Sequence, residues 1–476
     1  MIIILYVVDA LRPDHMSCYG YRRKTTSNID DLCKSSVQFN NAYAQSTWTR
    51  TSAVSLLTSM YPSTVGVSHI GDVLPPDIPI MSSTLRENFM TYGISAQPNV
   101  SSYYGFSRGF DRFIDLFLYR NIKCSGYSTA AREKVTEVES RVISFPRGEE
   151  INKFLFRELQ KAKQKNENAF FFCWNNDVHT PLHPLPDHVR FSAGNRRETI
   201  THADQRHLRT LEDKEDLINL YDDEVSYVDY CFGNLMQRLK DLDLFEESLI
   251  ILTSDHGQLL LEHGLIGHGY IPYEELIRIP LIIKLPNQSF RNQVNGTVGL
   301  IDVFPTLLEL LDIPQNWRLH PDGKSVLPLI KDGSKEWARD IFSDTKSWNV
   351  QSTFYSVKSG KWKYIKCIPP EKDLSFFKEV AFYFLHFDNL VEFMENPSYF
   401  LRRRVTKENE LLFNLEDDPL EKESLSNSVR SILTKMRRKW KSWFMKCQRK
   451  KRYVNAVKHR EPTGIIRERL QELGYI

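Results

Sequence analysis

Three apolar runs in this chain each release groups that can hold a metal or a proton. Residues 2–8 end in Asp9, residues 169–174 open into Asn175-Asn176-Asp177-Val178-His179, and residues 248–253 end in Ser254-Asp255-His256-Gly257. Carboxylate and imidazole suit hard-to-intermediate divalent cations, and an α/β enzyme gathers such ligands from distant strand ends. Residues 46–62 add a hydroxyl-rich stretch opening a predicted helix. Free N–H groups and the dipole at a helix N-terminus favour a tetrahedral oxyanion. A hydroxyl beside a cation loses its proton more readily and becomes an attacking group, which is the chemistry of ester cleavage.

These residues need a scaffold that brings their strand ends together. The β-branched run before Asp9 reads as a strand buried on both faces, as in a parallel sheet, and open α/β sheets carry their ligands at the C-terminal edge of such strands. Between the runs, Leu217, Leu220, Val225, Val228 and Leu235 fall at helical spacing and predict a helix from Asp216 to Leu242. Residues 281–284 read as a further strand, and residues 302–311 as a helix with Pro305 in its first turn. The fold class is therefore α/β, a mainly parallel central sheet flanked by helices. Residues 1–332 form the expected main domain, with 115–168, where Arg and Glu are interspersed, as a solvated insertion. Past residue 333 a hairpin signal (354–357, a Lys358-Ser359-Gly360 turn, 361–365) predicts a smaller C-terminal α+β subdomain with an antiparallel sheet, over 333–476. Its stretch 430–452 carries eleven Lys or Arg, with Met436, Trp440, Trp443, Phe444 and Cys447 near helical spacing, a basic amphipathic helix.

The 476 residues suffice for two or three folding units. Hydrophobic residues at 41% and charged residues at 26% exclude wholesale disorder. Lys+Arg at 63 against Asp+Glu at 60 leaves a formal +3, too little to indicate a nucleic-acid partner. The basic stretch 430–452 has two readings, a solvated helix packed by its Trp face and a peripheral contact with anionic membrane. No positively charged leader precedes the first apolar run and no run is long enough to span a bilayer, so the expected location is the cytoplasm. Seven cysteines form no C-x-x-C pair, which argues against a zinc knuckle and a disulfide framework.

Motifs in order along the chain carry a resemblance: residues 9–14 (Asp-Ala-Leu-Arg-Pro-Asp), Cys18-Tyr19-Gly20-Tyr21, Leu56-Leu57-Thr58, Gly109-Phe110-Asp111, Thr253-Ser254-Asp255-His256-Gly257, residues 264–269, Asp302-Val303-Phe304-Pro305-Thr306, residues 414–419 and Leu473-Gly474-Tyr475. The chain resembles the sulfatase branch of the alkaline phosphatase superfamily. Aligned on that family's C-x-P-S-R signature, Thr49 stands at the nucleophile position, Thr51 at the Pro, Ser52 at the Ser and Ala53 at the Arg. Threonine is not a formylglycine precursor in that pattern, so formylglycine is not expected, and Thr49 itself is the implied nucleophile. This is similar to Thr-dependent relatives such as lipoteichoic acid synthases and nucleotide phosphodiesterases, which work at phosphorus. The resemblance implies one divalent metal ion held by Asp9, Thr49, Asp255 and His256. Imidazole in place of the family's amide, and Ala10 in place of a second carboxylate, move preference from Ca towards Mn or Zn, with Mg open. Asp177 and His183 are the groups a second metal would need, but the spacing favours one metal. His179 and His268 are the implied leaving-group and oxyanion residues, and Arg12 and Asn99 the implied substrate contacts. The expected substrate is a small-molecule or glycan sulfate or phosphate ester, leaning to phosphodiester or phosphonate. A phosphotransferase with an alcohol acceptor and a non-catalytic anion-binding protein are the alternatives.

Overall fold

The computed structural model describes residues 1–118, 146–201, 204, 207–208, 210–314, 319–333, 337, 339–347, 352–369 and 410–475. Its strands are β1 (Ile2–Val8), β2 (Val37–Tyr43), β3 (Met90–Ser95), β4 (Arg112–Asp115), β5 (Ala169–Asn175), β6 (Leu249–Ser254), β7 (Leu259–Leu260), β8 (Ile266–Gly267), β9 (Arg278–Lys284), β10 (Asn292–Val294), β11 (Val298–Gly299), β12 (Ile341–Lys346), β13 (Thr353–Ser359), β14 (Trp362–Ile368) and β15 (Glu410–Asn414). The central sheet runs β10-β2-β9-β6-β1-β5-β3-β4, with β11 also on β2. Every pairing in it is parallel except the two made by β9, which is antiparallel to both β6 and β2. The expected α/β class with a mainly parallel sheet is what the chain adopts.

The unbroken apolar run of β1 reflects burial on both faces. Ile3, Leu5 and Val7 enter one core with Ala53, Val54, Leu56 and Leu57 of the helix Thr49–Thr58 and Leu307 and Leu308 of the helix Val303–Leu310. Ile2, Ile4, Tyr6 and Val8 enter the other, against Leu217, Leu220, Val225 and Leu235. Those residues lie on a helix that runs Leu211–Asp241, starting before the predicted Asp216 because Thr210 caps it: its side chain accepts from Asp213 N while the Asp213 side chain answers Thr210 N.

One expectation needs correcting. Residues 148–168 are not a solvated insertion: Gly148–Lys165 is a helix whose Ile151, Leu155, Leu159 and Ala162 are buried in the second core, and β5 starts at Ala169. Charged residues on its outer face masked the period of the inner one. The rest of that stretch, 119–145, lies outside the described residues.

β12-β13-β14-β15 form a separate antiparallel sheet, and Gly360, at φ +55°, closes the hairpin between β13 and β14. Residues 370–409 of this region lie outside the described residues. The basic helix runs Arg430–Lys451 and rests its apolar face on the small sheet, with Leu433 and Met436 against Val357 and Tyr364, and Trp443 and Cys447 against Tyr61 and Tyr355. No helix among the described residues is long and apolar enough to cross a membrane.

Candidate active site

Asp9 follows the last residue of β1 and Asp255 the last residue of its neighbour β6, so parallel pairing sets the two carboxylates side by side. Just beyond Asp9 the backbone turns sharply, with Ala10 at φ +61°, a left-handed conformation that costs a residue with a Cβ roughly 1–2 kcal/mol. Asp255 Oδ1 accepts from Ala10 N (3.2 Å) and His256 N (2.9 Å), and the Tyr221 hydroxyl donates to Ala10 O (2.7 Å) while accepting from Arg12 N (2.9 Å). Asp9 Oδ2 accepts from Gln97 Nε2 (2.9 Å) and Trp174 Nε1 (3.1 Å). These donors fix each carboxylate through one oxygen and leave the other for the site.

Thr49 opens its helix. Trp48 precedes it in extended conformation, and no side chain caps the first turn. The hydroxyls that make this sequence look unlike a core helix bond back to the chain: Thr51 Oγ1 to Trp48 O (3.0 Å), Ser52 Oγ to Ser46 O (3.1 Å), Thr58 Oγ1 to Val54 O (2.6 Å). Thr47 O accepts from Gly269 N (2.8 Å), which ties the nucleophile helix to the Gly267-His268-Gly269 loop. Both glycines have positive φ (+95° and +78°), so a short turn delivers His268.

The structure brings together residues from five distant segments. Thr49 Oγ1 is 3.4 Å from Asp9 Oδ2, 3.3 Å from His256 Nε2 and 2.6 Å from the Tyr475 hydroxyl. The Tyr475 hydroxyl in turn is 3.2 Å from both His179 Nε2 and His268 Nε2. The His268 ring stacks on His256 and meets His179 edge to face. His256 Nδ1 donates to Gly257 O (2.8 Å) and His179 Nδ1 to Thr180 O (2.5 Å), which leaves Nε2 of each neutral ring as an acceptor facing inward. Burial pulls both imidazoles down to about 4, so both rings are neutral at neutral pH.

The donor set fits a divalent cation. One atom each from Asp9, Asp255 and His256 lie within 4.8 Å of one another. Asp9 Oδ1 and Asp255 Oδ2 are buried and make no hydrogen bond, an expensive state for a carboxylate oxygen that a cation relieves. Burial raises the Asp9 and Asp255 carboxyls, and the proximity of Asp9 raises Asp255 further.

Two other residues are engaged elsewhere. The Arg12 guanidinium, read from sequence as a substrate contact, is clamped by Asp14 (2.6 Å), Glu262 (3.1 Å) and the Gln258 carbonyl (2.8 Å). Asp177, the group a second metal would need, is paired to Arg147 (2.8 Å) and accepts from Gly148 N (2.9 Å) and Asn175 Nδ2 (2.7 Å). Asn99 is buried, and its Oδ1 accepts from Arg50 Nη2 (2.6 Å). Sequence reasoning gave no role to Tyr475, Gln97, Trp174 or Arg50. The Leu473-Gly474-Tyr475 stretch was the one available signal, and it marked a likeness without pointing at the site.

A family model described as sulfatase matches residues 2–313, and one described as N-sulphoglucosamine sulphohydrolase, C-terminal, matches residues 261–379. Arylsulfatase K of Gallus gallus is 30% identical over 158 residues, 30% of this chain and 28% of that protein, so the match spans little more than a quarter of the relative's length. Among solved structures, the phosphonate monoester hydrolase of Agrobacterium radiobacter superposes with a TM-score of 0.64 at 17% identity, covering 97% of this chain and 99% of its own. A 2-O GAG sulfatase superposes with a TM-score of 0.67 at 16% identity, covering 96% and 94%. At such identities the superpositions speak to the fold.

Proposed function

Because the chain belongs to the sulfatase family of the alkaline phosphatase superfamily, we propose that it is a metal-dependent ester hydrolase that attacks phosphorus through Thr49. The observation that carries this reading is the setting of Thr49 Oγ1, within 3.4 Å of Asp9 and 3.3 Å of His256 in a buried cluster with two carboxylate oxygens that make no hydrogen bond. A divalent cation held by Asp9, Asp255 and His256, with Thr49 beside it, supplies Lewis-acid neutralisation and makes the threonine hydroxyl more acidic. The chain's own groups do the rest. Thr49 Oγ1 attacks phosphorus in line as the bond to the leaving oxygen breaks, and its proton has a route to the Tyr475 oxygen at 2.6 Å and on to His179 Nε2 at 3.2 Å. The same proton is then available to the leaving alkoxide from the His179–His268 pair, so that none is gained or lost in the step. Water then attacks the threonine ester, releasing phosphate or a phosphate monoester and restoring the hydroxyl. The first-turn N–H groups favour the equatorial oxygens.

Phosphorus is preferred over sulfur on chemical grounds. A threonine sulfate ester has no elimination route and must be hydrolysed, a harder second step. A sulfate-ester reading, with a sulfated sugar as substrate, is favoured by the arylsulfatase and GAG-sulfatase likenesses. One panel separates the two: nitrophenyl sulfate, phosphate, phosphodiester and phosphonate esters with Mn, Zn, Mg and Ca in turn. The expected result is metal-dependent turnover of a phosphorus ester that Thr49→Ala abolishes, a loss of roughly a thousandfold or more, with unchanged circular dichroism. Turnover of the sulfate ester alone establishes the second reading, and full activity in Thr49→Ala removes threonine as nucleophile. The exposed basic face of the helix Arg430–Lys451 supports peripheral contact with anionic membrane as a further part of this proposal.

A further inference from the structure

Three arginines are buried among the described residues, and two of them are matched by carboxylates: Arg12 by Asp14 and Glu262, and Arg469 by Glu472. Arg50 is different. It lies in the first turn of the helix that Thr49 opens, is fully buried, and makes no ion pair among the described residues. Its Nη2 donates to Asn99 Oδ1 (2.6 Å), and its Nη1 to the carbonyls of His69 (3.3 Å), Asp72 (3.4 Å) and Ile70. Its Cζ sits 3.4 Å from the centroid of the Tyr104 ring. These groups are neutral, and the Asp72 carboxylate adds a favourable charge nearby without forming an ion pair. A guanidinium stays charged in any protein environment, and a buried cation held mainly by dipoles is stabilised further when an anion joins it.

The geometry at Asn99 shows where that anion belongs. Because Oδ1 is taken by Arg50, the carboxamide cannot flip, and Nδ2 is fixed on its other side. That nitrogen is buried and lies beside the Tyr475 phenol. The same phenol touches Thr49 Oγ1 at 2.6 Å. A buried N–H donor beside the nucleophile's own hydrogen-bond partner can serve an acceptor that binds there.

We propose that Arg50 is a positioning residue whose charge acts on the substrate through Asn99, fixing the Asn99 amide so that Nδ2 donates to a non-bridging oxygen of the bound ester. The consequence is a preference set by charge. A cation acting through an oriented donor in a water-excluded site stabilises a reacting group in proportion to the negative charge it carries. A phosphate monoester dianion therefore depends on the pair more than a phosphodiester monoanion does. This inference rests on the ester-hydrolase reading of the site.

The test compares nitrophenyl phosphate with bis-nitrophenyl phosphate in wild type, Arg50→Gln, Arg50→Lys, Asn99→Ala and the Arg50→Gln/Asn99→Ala double variant, with melting temperature measured in each. Arg50→Gln and Asn99→Ala are expected to lower kcat/KM roughly a hundredfold for the dianion and roughly tenfold for the monoanion. Arg50→Lys should recover part of the loss on the dianion. The double variant should be no worse than the worse single one, because the two residues act in series. Equal losses on both substrates, or losses that multiply in the double variant, overturn the assignment. Should Arg50→Gln fail to fold, Asn99→Ala decides alone, and unchanged charge discrimination in that variant overturns the assignment equally. Inorganic phosphate, titrated calorimetrically, keeps this question apart from the previous one. If wild type turns over no ester but binds phosphate in an Asn99-dependent way, the hydrolase reading fails and the Arg50–Asn99 assignment stands. If wild type turns over esters and the variants match it, the assignment alone fails.

Discussion

A threonine hydroxyl attacks well only when something orients it, and in this chain the shortest contact of Thr49 Oγ1 is with the Tyr475 hydroxyl. Tyr475→Phe removes the hydroxyl that meets Thr49, His179 and His268, contacts worth about 1 kcal/mol each net, while keeping the ring that packs in the core shared with β1. The expected outcome is a fall in kcat of at least five- to tenfold with a melting temperature lowered by no more than a few degrees, read by steady-state kinetics beside a thermal melt. An unchanged kcat would remove the phenol from the proton route. At this scale the sequence was legible wherever a local pattern carried the residue. Asp9, Asp255 and His256 each end an apolar run, and Thr49 sits at a fixed distance before Pro62. Tyr475 was not legible as a site residue, because nothing near it in the chain hints at a partner 426 positions away. Arg12 shows the same limit: its clamp uses Glu262, which only the fold brings near.

At the scale of elements, the loop before Thr49 is held by the second sheet as well as the first. Thr345 of β12 accepts from Thr47 N (3.0 Å), and the neighbouring Asp344 donates its own backbone N–H to Gln45 O (2.8 Å). The Asp344 carboxyl accepts from Ser63 N (2.9 Å), and burial pushes it up to about 7. A carboxyl raised in the folded state gives stability that is fully present below its ordinary value near 4 and is lost as pH rises through 7. Asn mimics the protonated form at every pH. Asp344→Asn is therefore expected to leave the melting temperature unchanged below pH 4, to gain progressively on wild type between pH 4 and 7, and to hold that gain above pH 7. A gain that is flat with pH would show that charge is not the cause. The strands and the long helix were readable from their apolar periods. The helix Gly148–Lys165 was not, because Lys, Arg and Glu on its outer face resemble a solvated loop when read without the sheet beneath, and the Arg147 that precedes it answers Asp177 on another segment.

For the molecule as a whole, two additions should have separable effects. Mn or Zn added to metal-free protein is expected to raise the melting temperature in proportion to the logarithm of concentration, about 2.7 kcal/mol of stabilisation at a hundred times the dissociation constant. Asp255→Ala should abolish the shift, and a shift that survives would place the metal elsewhere. Reversing charge at Lys441, Lys446 and Arg449, all exposed on the helix Arg430–Lys451, should leave stability unchanged and remove co-sedimentation with vesicles containing anionic lipid, provided the basic face meets membrane. The position of β1 at the centre of the large sheet carries a different consequence. Ile2 pairs with Ala169 and Ile3 with Leu249, so β1 leaves the ribosome well before either neighbour and gains the second only once β6 has been made. Until then a seven-residue uncharged β-forming segment waits without its flanking strands, a configuration that slows refolding and invites self-association. Recovery from denaturant should therefore fall steeply with protein concentration, and holdase chaperones present during translation should raise the soluble yield.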